Sequence, residues 1–301
     1  MYNGVPTIYS AQIQVAIRRG SPHDVVEHSS IHESLAKIPE VKTAGLRGEW
    51  VVKPYSYQDT RQLKVACVCI GNGGHRLRME AGIMIPTFEP RPHQATDSAL
   101  FNQIPFVVKP IASDLSAADR KRFCLRTTML VNGVLHAAYF GRVIPDTEIP
   151  NVTTVKRVIT QNTDVSTEWV PTSADNTPSM KDDTPAGTTE QVYVSASVID
   201  HLEFTEQDVT WLREACNLLY GSEAYAYISE IAVCTGVKRE VTARYNEAGN
   251  STSAFTGPME YVGVQVASFS YAAWDMSAHP TGFSMGVNTA VSEPLMGRED
   301  Q

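Results

Sequence analysis

The chain has 301 residues, 43% of them hydrophobic and 19% charged, with a formal net charge of -8 and a pI near 5.5. That length can bury a sizeable core in one large or two modest domains, and the acidic balance argues against direct nucleic-acid binding, which needs a concentrated basic face. No apolar run reaches the roughly 18 residues of a membrane span, the stretch MYNGVPTIYSAQ lacks a signal-peptide pattern, and five cysteines do not make a secreted disulfide framework, so the expectation is a protein made in a cytoplasm without a membrane partner.

Taken in order, residues 5–18 alternate well enough to read as a strand carrying Ile8, Ile13, Val15 and Ile17, ended by Gly20-Ser21-Pro22. The polar stretch from His23 to Ile38 reads as a short helix or loop. In a helix His28 and His32 would share a face, a spacing that can hold a divalent cation. Without an HExxH order or a third ligand, solvated or hydrogen-bonded histidines are the commoner reading, so no metal site is assigned.

From residue 48 the sequence reads as two similar units, about 50–86 and 106–145. Each opens on a Val-Val-Lys-Pro phrase (Val51 to Pro54; Val107 to Pro110), runs through an apolar strand, turns at Asn-Gly (Asn72-Gly73; Asn132-Gly133) and closes on a proline, Pro86 or Pro145. Both suggest β-hairpins, because Asn-Gly tolerates the positive φ of a tight turn. A duplication and two unrelated hairpins are both compatible with this punctuation. The second unit holds an inserted capped helical turn near Asp114 to Asp119.

Three local features invite chemistry. Gly71-Asn72-Gly73-Gly74 is glycine-rich, but no helix begins after it, so a turn is the better reading than a phosphate loop. Cys67 and Cys69 lie on one strand face, and a metal there would need sulfurs from Cys124, Cys216 or Cys234; cysteine as a small buried hydrophobe is the commoner outcome. Arg120, Lys121 and Arg122, with Arg126, form the one basic knot, flanked by Asp114 and Asp119 and read as a solvated turn.

Residues 160–191 are rich in Thr, Ser, Asp and Pro and read as a low-complexity arm or linker, in which Trp169, Val170 and Pro171 are the candidates to dock on a neighbouring subunit. Val192 to Val198 follows as a strand. The best-patterned stretch is 205–220: Thr205 as N-cap with Asp208 three residues on, then Val209, Leu212, Cys216 and Leu219 as an apolar stripe widened by Ala215 and Leu218, with Gly221 as C-cap. Tyr225 to Cys234 reads as a strand covered on both faces. Residues 246–258 read as a loop, and Tyr261 to Phe269 and Gly282 to Val291 as a pair of strands joined across Trp274 to Pro280. The fold expected is mainly β (α+β), antiparallel and sandwich-like, with one principal helix, a β-rich domain 1–159 and an α+β domain 192–301. The helix should cover a sheet formed by the second domain, while the hairpins before residue 150 form another.

The phrases YISEIAVCTGV (Tyr227 to Val237), GVNTAVSEPL (Gly286 to Leu295), LRMEAGIMIP and IPFVVKPIASDLSAADRKRF resemble virion structural proteins of tailed bacteriophages. The resemblance covers most of the chain outside 160–191. It implies a non-enzymatic neck, collar, tail or capsid subunit, located in the virion, whose partners are copies of itself and other virion proteins. It carries over no catalytic residue and no cofactor. The absence of GxSxG, HExxH and Walker-type patterns agrees with this reading. The alternative is a carbohydrate-binding or carbohydrate-cleaving β-rich virion protein, with Trp169, Tyr225, Tyr227, Tyr271 and Trp274 as candidate stacking residues.

Overall fold

The computed structural model describes residues 5–19, 23–24, 49–50, 56–57, 64–89, 91–97, 99–145, 152–159, 163–170, 172, 191–247 and 251–294. In chain order its elements are β1 (Val5–Pro6), α1 (Ile8–Arg19), β2 (His23–Asp24), β3 (Glu49–Trp50), β4 (Ser56–Tyr57), β5 (Lys64–Gly71), β6 (His75–Glu80), β7 (Ile83–Phe88), β8 (Gln103–Ile104), β9 (Val107–Pro110) and α2 (Ala117–Arg120). There follow β10 (Phe123–Val131), β11 (Val134–Val143), β12 (Thr153–Ile159), β13 (Asp164–Glu168), β14 (Gln191–Thr205), α3 (Glu206–Tyr220), β15 (Tyr227–Glu247), β16 (Ser251–Asp275) and β17 (Gly282–Pro294).

The fold is mainly β and antiparallel. Nine strands form one sheet in the order β1-β16-β15-β5-β11-β10, with β3 beside β15, β8 beside β5 and β9 beside β11. A four-stranded sheet has the order β13-β12-β14-β17, and β2-β4 and β6-β7 are separate pairs. The chain divides into one unit of residues 1–145 and 203–284 and another of 146–202 and 285–301. Among the described residues no helix is long and apolar enough to cross a membrane.

Strand β5 occupies the middle of the large sheet because its sequence suits both faces: Ala66 to Ile70 are all fully buried. Tyr227 to Cys234 at the start of β15 are buried in the same way, as the sequence predicts, although the strand begins two residues later than Tyr225, which lies in a 3-10 turn. One core cluster combines Cys67, Cys69, Cys124, Phe140, Ala232, Cys234, Val266 and Phe269 with Ala215 of α3, and Leu218 and Leu219 pack against it. Helix α3 lies along β9, where Lys109 Nζ meets Glu214 Oε2 at 2.7 Å and reaches over the Trp211 ring.

Both ends of α3 follow from local sequence. Thr205 Oγ1 accepts from Asp208 N, the Asp208 carboxylate accepts from Thr205 N at 2.9 Å, and Gly221 ends the helix at φ 78° with its N–H donated to Asn217 O. Asp208 does more than cap: it is 4% exposed and also pairs with the Arg122 guanidinium. Asp208→Ala therefore removes a cap and leaves Arg122 without its buried partner. The expected cost is roughly 2–3 kcal/mol in urea denaturation, against roughly 1 kcal/mol for Thr205→Ala; equal costs for the two would remove the ion pair from the account.

The structure corrects several expectations. Residues 8–19 are helical, not extended: Thr7 Oγ1 accepts from Ser10 N, Ile13 and Ala16 face the core three residues apart, and Val15 and Ile17 are exposed. The apparent alternation is a helical stripe with apolar surface residues beside it, and Arg18 and Arg19 complement the C-terminal dipole. Asn132-Gly133 does make a hairpin turn between β10 and β11, with φ of 50° and 79°. Asn72-Gly73 does not. β6 turns instead at Ala81-Gly82 and pairs with β7, while β5 pairs with β15 and β11, so the two units are built differently.

Those pairings also join the early strands to β15 and β16, so the first 150 residues do not form a sheet of their own. The division at 159 and 192 is replaced by one in which residues 203–284 belong with 1–145. Residues 251–258 are strand, not loop, since β16 pairs with β15 from Tyr227↔Asp275 to Glu247↔Ser251. β17 pairs with β14 and not with β16. Inside the low-complexity stretch, β13 pairs with β12, supported by Arg157 Nε donating to Asp164 Oδ1 at 2.7 Å.

Candidate functional site

A glutamate inside an otherwise apolar strand is the most demanding group in the large sheet. Glu230 on β15 is 2% exposed, and a carboxylate there needs every oxygen satisfied. Its Oε1 accepts from Gly73 N at 3.0 Å and Asn102 N at 2.9 Å, and its Oε2 accepts from Phe101 N at 3.0 Å and faces His93 Nε2 at 3.0 Å. Glycine is required for this approach: a Cβ on Gly71 would stand 2.5 Å from Glu230 Oε1, and one on Gly73 would stand 2.7 Å from it. The glycine-rich segment does turn, His75 N donating to Asn72 O at 3.1 Å, but β5 and β6 on either side of it do not pair as a hairpin, and it is not a phosphate loop. It receives the protein's own anion.

His93 carries the connection outward. Its ring is stacked between Phe101 and Phe269, with centroids at 4.2 and 3.8 Å, and its Nδ1 faces Asp97 Oδ2 at 3.3 Å. The His93 backbone N–H donates to the Tyr271 hydroxyl. Burial pushes the Glu230 carboxyl up, but His93 and the N–H groups of Asn102, Phe101 and Gly73 outweigh it and hold the group below its ordinary value. A carboxylate offers about four lone-pair sites, and four donors surround this one. The arrangement is a clamp tying β15 to the segments around residues 73 and 93–102, not a base with a lone pair to spare.

The second cluster is sulfur. Cys67 lies opposite Cys234 in the β5–β15 ladder, Cys69 is two residues along β5, and the three Sγ atoms lie within 4.8 Å of one another, fully buried. Cys124 on β10 lies opposite Gly141 of β11 and is buried with them. These residues could hold a thiophilic metal.

The model of DUF7208, a family of unknown function, matches residues 2–301. The chain belongs to the DUF7208 family. No curated protein and no solved structure matches it.

The DUF7208 chain scatters most of the residues its sequence singles out. Trp169 is half-buried, its backbone N–H donated to Thr154 O at 2.9 Å, while Val170 is 70% exposed; Pro171, like His28 and His32, lies outside the described residues. The aromatic candidates for sugar stacking have internal partners. Tyr227 donates to Asp275 Oδ2 at 2.8 Å, Tyr225 packs on Tyr220, Trp274 on Phe283, and Tyr271 serves His93. The basic knot is divided between acids: Arg120 and Arg126 pair with Asp114, and Arg122 with Asp208.

Sequence reasoning missed Glu230 and His93. The signal for Glu230 was present in YISEIAVC, where a charge interrupts a strand buried on both faces and so demands partners from elsewhere in the chain.

Proposed function

We propose that this protein is a non-enzymatic structural subunit of a tailed-phage particle, made in the host cytoplasm and carried in the virion, where it joins copies of itself and other virion proteins in a closed ring or lattice. The observation that carries the reading is the β15–β16 ribbon. β15 pairs with β5 as far as Gly236↔Lys64, yet its pairing with β16 runs on to Glu247↔Ser251. At about 3.3 Å per residue, the continuation over 237–247 is roughly 36 Å long. Among the described residues, only Glu49–Trp50 of β3 pair beside that continuation.

A two-stranded ribbon is marginal in water alone, and its outer edges are templates for another chain. A ring of identical subunits with head-to-tail contacts supplies such a neighbour. The smaller unit adds a second surface of this kind. By register, Val158, Val165 and Val194 share one face of its sheet, and Val165 and the nearby Val152 are more than half exposed. The sequence resemblance to phage virion proteins agrees with both features.

The test compares the whole chain with a variant whose ribbon is cut back at the Thr242↔Thr256 pair and closed by a short turn. Negative-stain microscopy and light scattering should find rings, tubes or a lattice for the whole chain. The shortened variant should keep its circular dichroism and thermal midpoint but scatter as a monomer. A whole chain that stays monomeric at high concentration and binds or cleaves polysaccharide would overturn the reading.

A further inference from the structure

We propose that Cys67, Cys69 and Cys234, with Cys124 as the fourth sulfur, form a thiolate site for a soft d10 metal ion, zinc being the ion expected. Packing alone asks that cysteines be buried; it does not ask their sulfurs to converge. Here three Sγ atoms from two adjacent strands all lie within 4.8 Å of one another. Four thiolates around zinc, with Zn–S of about 2.3 Å, stand roughly 3.8 Å apart, so these three sulfurs need only a small contraction, and Cys124 must move in to complete the set.

The fourth sulfur comes from a strand that is not adjacent to β5. β11 lies between β5 and β10, and at the crossing point it carries Gly141, opposite Cys69 on one side and Cys124 on the other. A Cβ at Gly141 would stand 2.5 Å from Cys124 Sγ, so the missing side chain is what lets that sulfur lie over the intervening strand. The residue after Cys124, Leu125, adopts φ of 53°, a conformation costly for a leucine, and it interrupts the β10–β11 ladder there. Strain of this kind accompanies side chains held in place for a purpose. On binding, each ligating thiol releases its proton and the ion's charge replaces the lost hydration.

All four cysteines are at most 1% exposed, so the ion must enter as the sheet forms and leave only when it opens. Cys216, buried on helix α3 rather than on strands β5, β10 and β15, serves as the internal control.

The whole chain, expressed with zinc in the medium and purified without chelator, should contain about one zinc per chain by elemental analysis. Cys67→Ser and Cys234→Ser should lose it, and Cys216→Ser should keep it. Because a hydroxyl in this core can by itself prevent folding, the unmodified chain is also unfolded in guanidinium with reductant and refolded with Co2+. Intense thiolate-to-cobalt charge-transfer bands should appear, reach a maximum at one equivalent, and vanish when the chain is refolded with excess Zn2+. One copper in place of zinc would support the same thiolate site with Cu(I). A folded chain with no stoichiometric metal and no cobalt bands overturns the proposal, whatever its state of assembly.

Discussion

Replacing Glu230 with alanine should destabilise the protein by roughly 3–5 kcal/mol, the range seen when one partner of a buried ionic network is removed. The change strands the N–H groups of Gly73, Phe101 and Asn102 and the Nε2 of His93 in a site shielded from solvent. Glu230→Gln should be nearly as costly despite its matching shape, because its amide NH2 must face at least one of these donors. A loss of unfolding free energy below about 1 kcal/mol in urea denaturation for Glu230→Ala would mean that the clamp adds little to stability.

The same clamp gives the stability a pH dependence whose sign follows from the protonation of Glu230. Its folded-state value is depressed, so the unfolded chain binds the proton more readily. The stabilisation is fully present above the ordinary glutamate value of about 4.3 and is lost as pH falls through the lower folded value. Urea midpoints measured from neutral pH down to about 3 should fall in that window, and the Glu230→Gln variant should show a shallower fall. Parallel slopes in the two proteins would assign the acid sensitivity to other carboxylates.

What the sequence made legible was what depends on neighbours along the chain. The α3 capping box, its apolar stripe, the Gly221 terminus and the Asn132-Gly133 hairpin all rest on residues within a few positions of each other, and the structure contains all of them. The clamp joins residues 73, 93, 101, 102 and 230, and no local pattern encodes that meeting. The sulfur cluster lies between these cases: the Cys67-Cys69 spacing fixes a shared face, but Cys234 joins it only through the β5–β15 register. Ile8–Arg19 mimics a strand because its exposed Val15 and Ile17 complete a false alternation, and the Thr7 cap is the better signal.

Gly282→Ala should be among the most damaging single-methyl changes available to this fold, because two penalties coincide at one residue. Gly282 holds φ of 105°, and its added Cβ would stand 2.2 Å from Phe204 O and 3.1 Å from Thr205 C. Neither neighbour can yield easily. Phe204 is stacked on Phe283 at 4.5 Å and on Phe106 at 5.7 Å, and Thr205 is the N-cap of α3, so moving that carbonyl disturbs an aromatic stack and a helix start together. Gly82 separates the two penalties, since it holds φ of 81° and an added methyl group there would meet nothing within 4 Å. Gly82→Ala should therefore cost only the left-handed backbone penalty, roughly 1–2 kcal/mol, while Gly282→Ala should exceed roughly 4 kcal/mol and give largely insoluble protein. If thermal melts place the two variants within about 1 kcal/mol of each other, the backbone conformation alone is the constraint and the contact with Phe204 is readily relieved.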